Sequence, residues 1–451
     1  MQRDAIDFGK TNISQLFAKM FFPTLMGLLF GSLLNIADGI FVGRGVGSDA
    51  LAAINVAAPV FLITTGVSLM FASGVSIVAS IHLSRQNIKA ANINITQAIT
   101  VPLVLMAVVL TILDFFPRQV TFLFGGSERL VPLVTDYLIW VSPSMLMCVI
   151  MFVGMFVIRL DGSPNFAMAV NIFEAVLNIV LDYVFVFPLG MGIKGAAIAT
   201  SIASILSEAL ILVYLFFYTK TIHFYMPKFS PKALRLTARN VGYMCKMGFS
   251  TFLGETAICC TMIVGNFMFM HYLHEDGVAA FSVACYLFPL VFMAGNAVAQ
   301  SSQPIISYNY GLGSTDRVRR TLRIAIVVSS SLGFLITVLG ITGSHFLISM
   351  FLEPGIPAWK IAVDGFPLYS TCFLFFTLNI VLIGYYQSIE KASHATVFMF
   401  LRGYLLVIPS FLILPQLVGD KGLWLAIPVA ETLTFAVIII TMLLSENHNS
   451  R

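Results

Sequence analysis

Twelve stretches of about 20 or more mostly apolar residues succeed one another along the chain, and each is long enough to cross a ~30 Å hydrocarbon core as a helix. Their approximate limits are 14–41, 51–80, 95–117, 131–158, 166–188, 194–219, 241–272, 278–308, 322–346, 361–387, 394–417 and 422–444. A segment inside lipid must satisfy its own backbone hydrogen bonds, which leaves helices as the expected elements. Only 10% of residues are charged, against about 25% in a soluble chain. Too little charge is present to cover a globular surface in water. The expected fold class is an all-α membrane protein with twelve transmembrane helices.

Lys and Arg set the expected orientation. The side holding both termini carries 19 of them and the opposite loops carry 6, with Arg402 assigned to the richer side. The positive-inside rule then puts both termini in the cytoplasm. No A-x-A-like processing site follows Lys10 and Lys19, so the first apolar run reads as a helix rather than a cleaved signal.

The longest polar connector falls at mid-chain and separates six spans from six. The expected domains are an N-terminal bundle at 1–219, a cytoplasmic linker at 220–246 and a C-terminal bundle at 247–451. The halves resemble each other at an offset near 227 residues. Gly192-Ile193-Lys194-Gly195 finds Gly419-Asp420-Lys421-Gly422, and Ala167 finds Ala395 one residue further. Several such matches in order indicate duplication. Because each half holds an even number of spans, the repeats are expected to be parallel around a central cleft, an arrangement suited to alternating access.

Polar groups at membrane depth mark candidate sites. Glu174, Asn178 and Asp182 recur at i, i+4 and i+8 and share one helix face. Asp38 lies late in the first span with Asn35 one turn before it. Thr200 opens the sixth span, with Ser204, Ser207 and Glu208 beyond. Carboxylate, amide and hydroxyl oxygens together suit Na⁺, while two close carboxylates suit a proton carrier. Plainer readings are an interfacial Asp38 paired with Arg44, a hydrogen-bonded cluster joining two helices, and close packing around Thr200. Glu255 is the deepest carboxylate of the second half. Asn296, Gln300 and Gln303 form a neutral stripe that either faces the cleft or bonds neighbouring helices.

Enzyme signatures such as GxxxxGK[ST], HExxH and GxSxG are missing. Six cysteines show no metal-ligand spacing, and His271 and His274 read as part of a solvated loop. The 40 Phe and 21 Met give weak support for an adaptable lining for apolar or cationic ligands.

The segments Asn35-Ile-Ala-Asp38-Gly-Ile-Phe-Val-Gly-Arg44, Asn178-x-x-x-Asp182 and Gly192-x-x-Gly195-Ala-Ala-Ile-Ala-Thr200 resemble the multidrug and toxic compound extrusion (MATE) family, in its DinF-like and MepA-like branch. The resemblance implies two six-helix bundles and export of varied, often cationic amphipathic compounds driven by Na⁺ or H⁺. It also implies a first-bundle cation site at Asp38, Asn178, Asp182 and Thr200, with Tyr137 lining the same lobe. Glu255 matches a seventh-helix glutamate of NorM-type members, but Asn379 stands near the place of their tenth-helix aspartate. That departure favours the first bundle for coupling.

The expectation is a secondary antiporter of the cytoplasmic membrane without a cofactor, its coupling ion Na⁺ or H⁺. Its expected partners are small-molecule drugs, other xenobiotics and membrane lipids, with no nucleic acid, and the chain is expected to act as a monomer. The rivals are a lipid-linked oligosaccharide flippase, a passive channel and a membrane-embedded enzyme. A flippase is disfavoured because the intramembrane charges read as nearly all acidic: Asp38, Asp182, Glu208, Glu255 and Glu431.

Overall fold

A computed structural model describes residues 6–46, 48–124, 127–219, 222–225 and 230–449. The chain forms two compact units, one of Met1–Glu255 with Ser307–Thr315 and one of Thr256–Ile306 with Asp316–Arg451. Among the described residues every regular element is helical.

In the first unit, α1 (Ile13–Gly45), α2 (Ser48–Ser84), α3 (Ile88–Phe115), α4 (Val131–Leu160), α5 (Pro164–Val186) and α6 (Gly192–Val213) follow the expected spans. Proline at the start of α5 is tolerated because an N–H there has no intrahelical partner. Pro188 and Gly190, at φ 60°, follow its end. The helices pack as pairs: α2 on α4, α4 on α6, α1 on α5 and α5 on α6.

The next element, α7 (Pro231–Gly311), has 81 residues, which at the helical rise would reach about 120 Å. It is interrupted at His274, with φ 55° and ψ −150°, so it supplies two crossings. The sequence suggested a polar connector running to Met247. Instead α7 begins at Pro231, with the Ser230 side chain accepting from the Ala233 N–H. This amino-terminal part of α7 is tied to α3, since Gln97 donates to Thr237 Oγ1 at 2.9 Å and accepts from Asn240 at 3.1 Å. Residues 307–315 belong with the first unit, where Asn309 donates to the Phe8 carbonyl at 3.0 Å.

Glycine governs the crossing of α2 and α7. A Cβ added at Gly248 would overlap the Met70 carbonyl, and one added at Gly74 would overlap the Met244 carbonyl. Backbone cannot move aside as a flexible side chain can, so the two glycines fix the approach, and Ser73 and Thr251 hydroxyls bond beside them at 3.0 Å. Gly248→Val is therefore expected to destabilise the protein by about 3 kcal/mol or more, at or beyond the upper end for overpacking. A drop in melting temperature for Gly248→Val checks this, with Gly242→Ala as a control because Gly242 faces open space.

The second unit continues with α8 (Thr315–Thr342), α9 (Pro357–Ser370), α10 (Cys372–Ser388), α11 (Ala392–Phe400), α12 (Val407–Val418) and α13 (Lys421–Asn449). The single span expected at 361–387 is bent by 42° between α9 and α10. Pro367 lacks the N–H that would bond the Val363 carbonyl just before that bend. Likewise α11 and α12 are joined by a π-helical turn, Leu401–Leu405, where Pro409 offers no N–H to the Leu405 carbonyl. Helix α13 packs on α9, α10 and α12.

Ten described helices are long and apolar enough to span a membrane, and the bent α9–α10 pair makes eleven. Counting α7 twice gives the twelve crossings expected.

Candidate cation site

Helix α5 carries Asn178 and Asp182 one turn apart, and both are buried, at 1% and 0% exposure. Beside it, the small residues Gly195, Ala196 and Ala197 let α6 approach closely. Thr200 on α6 donates to the Ala196 carbonyl at 3.0 Å and accepts from the Asn178 amide at 3.2 Å. The amide nitrogen is thereby engaged, while Asn178 Oδ1 has no hydrogen-bond partner. Neither do both carboxylate oxygens of Asp182, nor Oδ1 of Asp38 on α1.

These groups share one neighbourhood. Helix α1 packs along α5, Asp182 lies within the field of the Asp38 charge, and the buried Tyr137 on α4 lies within the field of both. A buried polar atom left without a partner costs about 1–3 kcal/mol, and more when charged. Carboxylate, amide and hydroxyl oxygens of this kind match the donor set of a hard monovalent cation. A proton on one of the carboxylates would relieve the same penalty by another route.

Further along the same interface, Ser204 on α6 donates to Glu174 Oε1 on α5 at 3.0 Å. Glu208 follows one turn later, buried, with Oε2 unpartnered, and the Cys148 thiol of α4 lies near both glutamates. Two polar stripes thus face each other: 174, 178 and 182 on α5, and 200, 204 and 208 on α6. The α6 stripe was readable from its four-residue period, but its pairing with α5 required the fold.

The Asn35 side chain lies outside those the structure describes. Glu255 is buried on α7, against α2 near Gly66. Asn296 gives its amide to the Phe292 carbonyl of its own helix at 3.0 Å. Gln303 is buried and Gln300 half-buried. Asn379 belongs to the second unit, where it donates to Glu431.

Two sequence expectations need correction. Arg402 does not belong to a loop: it lies in the π-turn, buried, and pairs with Glu431 at 2.7 Å. Removing it from the orientation tally leaves 18 against 6. Nor are the buried charges nearly all acidic, since Arg159 is as buried as Arg402.

Taken together, the described residues define a multi-pass, all-helical membrane protein whose first unit buries a group of polar side chains. The MatE family model matches the chain twice, at residues 23–184 and again at 251–412, a displacement of 228 residues. The chain belongs to the MatE family. It is 24% identical over 93% of its length to the multidrug export protein MepA of Staphylococcus saprophyticus, covering 92% of that protein. MepA of Staphylococcus aureus is 22% identical, with 97% of this chain and 96% of the relative aligned. The fold superposes on an outward-facing multidrug resistance MATE family transporter with TM-score 0.89, 19% identity and 97% coverage of both chains. A MOP superfamily transporter from Pyrococcus furiosus gives TM-score 0.87 at 18% identity, with 98% of each chain covered.

Proposed function

We propose that the chain is a secondary active multidrug efflux antiporter of the cytoplasmic membrane, with both termini inside. It exports amphipathic, often cationic, compounds in exchange for Na⁺ or H⁺. The observation that carries this reading is the group of Asp38, Asn178 and Asp182, in which Oδ1 of Asp38, Oδ1 of Asn178 and both carboxylate oxygens of Asp182 are buried without partners while Thr200 accepts from the Asn178 amide. The MepA relatives, named for multidrug export, support the substrate class.

The mechanism follows from charge. Asp38 and Asp182 alternate between a loaded state, with a cation or proton on their oxygens, and an unloaded anionic state that favours a cationic drug. Asn178 supplies a carbonyl oxygen and Thr200 fixes its orientation. Loading shifts the conformational equilibrium only by its differential affinity for the two states, so the coupling ion must bind the drug-releasing state more tightly. Tyr137 lies within the field of both carboxylates.

The test is uptake of a fluorescent cation into proteoliposomes under an imposed Na⁺ gradient and, separately, a pH gradient. One of the gradients is expected to drive accumulation against the dye gradient. Equilibration without accumulation under either gradient identifies a passive channel and refutes the antiport.

A further inference from the structure

Arg402 and Glu431 are the two charged side chains of the second unit that are buried among its described residues. Arg402 Nε donates to Glu431 Oε1 at 2.7 Å. Glu431 Oε2 is taken by the Asn379 amide, also at 2.7 Å, and the same amide reaches the Glu431 carbonyl at 2.9 Å. On its other sides the guanidinium contacts Met399 Sδ at 3.5 Å and stands 4.1 Å over the Phe376 ring. Asn379 is completely buried, yet its Oδ1 has no hydrogen-bond partner. A carboxylate and an aromatic face therefore surround one positive charge, a combination that recognises cations, and the carboxylate is itself held by the Asn379 amide.

The internal repeat sets this contact beside one in the first unit. At the displacement of 228 residues given by the family matches, Glu174 corresponds to Arg402. Past Gly192, which corresponds to Gly419, Ser204 falls on Glu431. The first unit joins these positions by a serine donating to a glutamate, and the second joins them by a glutamate accepting from an arginine. In the second unit this contact includes a permanent cation. The π-turn carries Arg402, and such turns recur at functional positions in helices.

We propose that Glu431 and Asn379 form a monovalent-cation site in the second unit that is filled by the chain's own Arg402, so this unit carries its cation covalently and takes none from solution. Removing the guanidinium converts a closed site into one open to a free cation. The inference does not depend on the first-unit reading.

The test uses the full chain in an Asp182→Asn background, which suppresses the first-unit response. Melting temperature is followed against sodium chloride and guanidinium chloride at low millimolar concentration, with choline chloride holding ionic strength constant. Arg402→Ala is expected to add a cation-dependent rise of about 4 °C or more at roughly hundredfold excess over the dissociation constant. Guanidinium should act more strongly than sodium because it also stacks on Phe376, and Glu431→Gln added to Arg402→Ala should remove the response. Equal response with and without Arg402→Ala overturns the proposal. Failure to recover Arg402→Ala in any of these salts also counts against it, because an open site would be refilled. Should Asp182→Asn itself keep a full cation response, the first-unit reading fails, while the increment due to Arg402→Ala is still read.

Discussion

Asp182→Asn is expected to lower cation-driven transport by about two orders of magnitude or more while leaving insertion and folding intact. The substitution keeps volume and shape but removes the negative charge. If the wild-type carboxylate contributes about 3 kcal/mol to holding a cation or proton in this pocket, its loss is worth roughly a hundredfold in affinity. Stability should move the other way or not at all, because both carboxylate oxygens are buried without partners and a neutral amide is less costly to bury. Proteoliposome uptake and melting temperature, measured on the same preparation, check the two halves of the prediction. Thr200→Val should give a smaller loss, since it releases the Asn178 amide without removing charge. Unimpaired gradient-driven uptake in Asp182→Asn would show that the coupling ion binds elsewhere.

The polar stripes of the first unit were legible in the sequence because they obey helical spacing on uninterrupted helices. Asn178 and Asp182 are one turn apart on α5, and Thr200, Ser204 and Glu208 repeat on α6. Once both segments are helices, burial of the polar stripes requires that they meet something polar, and the adjacent spans supply it. The spans themselves were legible because hydrocarbon thickness fixes their length. Arg402 was not legible, because a lone arginine about two turns inside the expected span 394–417 can still reach the interface by snorkelling. Here the π-turn and Phe376 hold it inward, and neither is visible from local spacing. The break at His274 was equally hidden: a non-glycine residue at positive φ carries no composition signal, and the sequence suggested a longer loop between the two halves of α7. Pro367 and Pro409 stood in plain view, yet proline within a span can be tolerated without a break. Whether a bend results depends on what packs around the freed carbonyl.

Glu431→Ala is expected to destabilise the second unit by about 3–5 kcal/mol, the range for breaking a buried ion pair by removing one partner. Arg402 would remain buried with Met399 and Phe376 beside it, and Asn379 would lose its acceptor Oε2. Unlike loss of the guanidinium, this defect has no small-cation remedy, so sodium and guanidinium should both leave the melting temperature of Glu431→Ala unchanged. Replacing both charges with apolar groups of similar volume, Arg402→Met with Glu431→Leu, should recover most of the loss, because neither desolvated charge then remains. The two outcomes separate stability from ion handling. A double variant that folds well but binds no cation would assign the pair its charge-holding role. If the double variant is as unstable as Glu431→Ala, the hydrogen bonds from Asn379 rather than the ion pair hold α10 to α13, and the built-in charge is incidental to that packing.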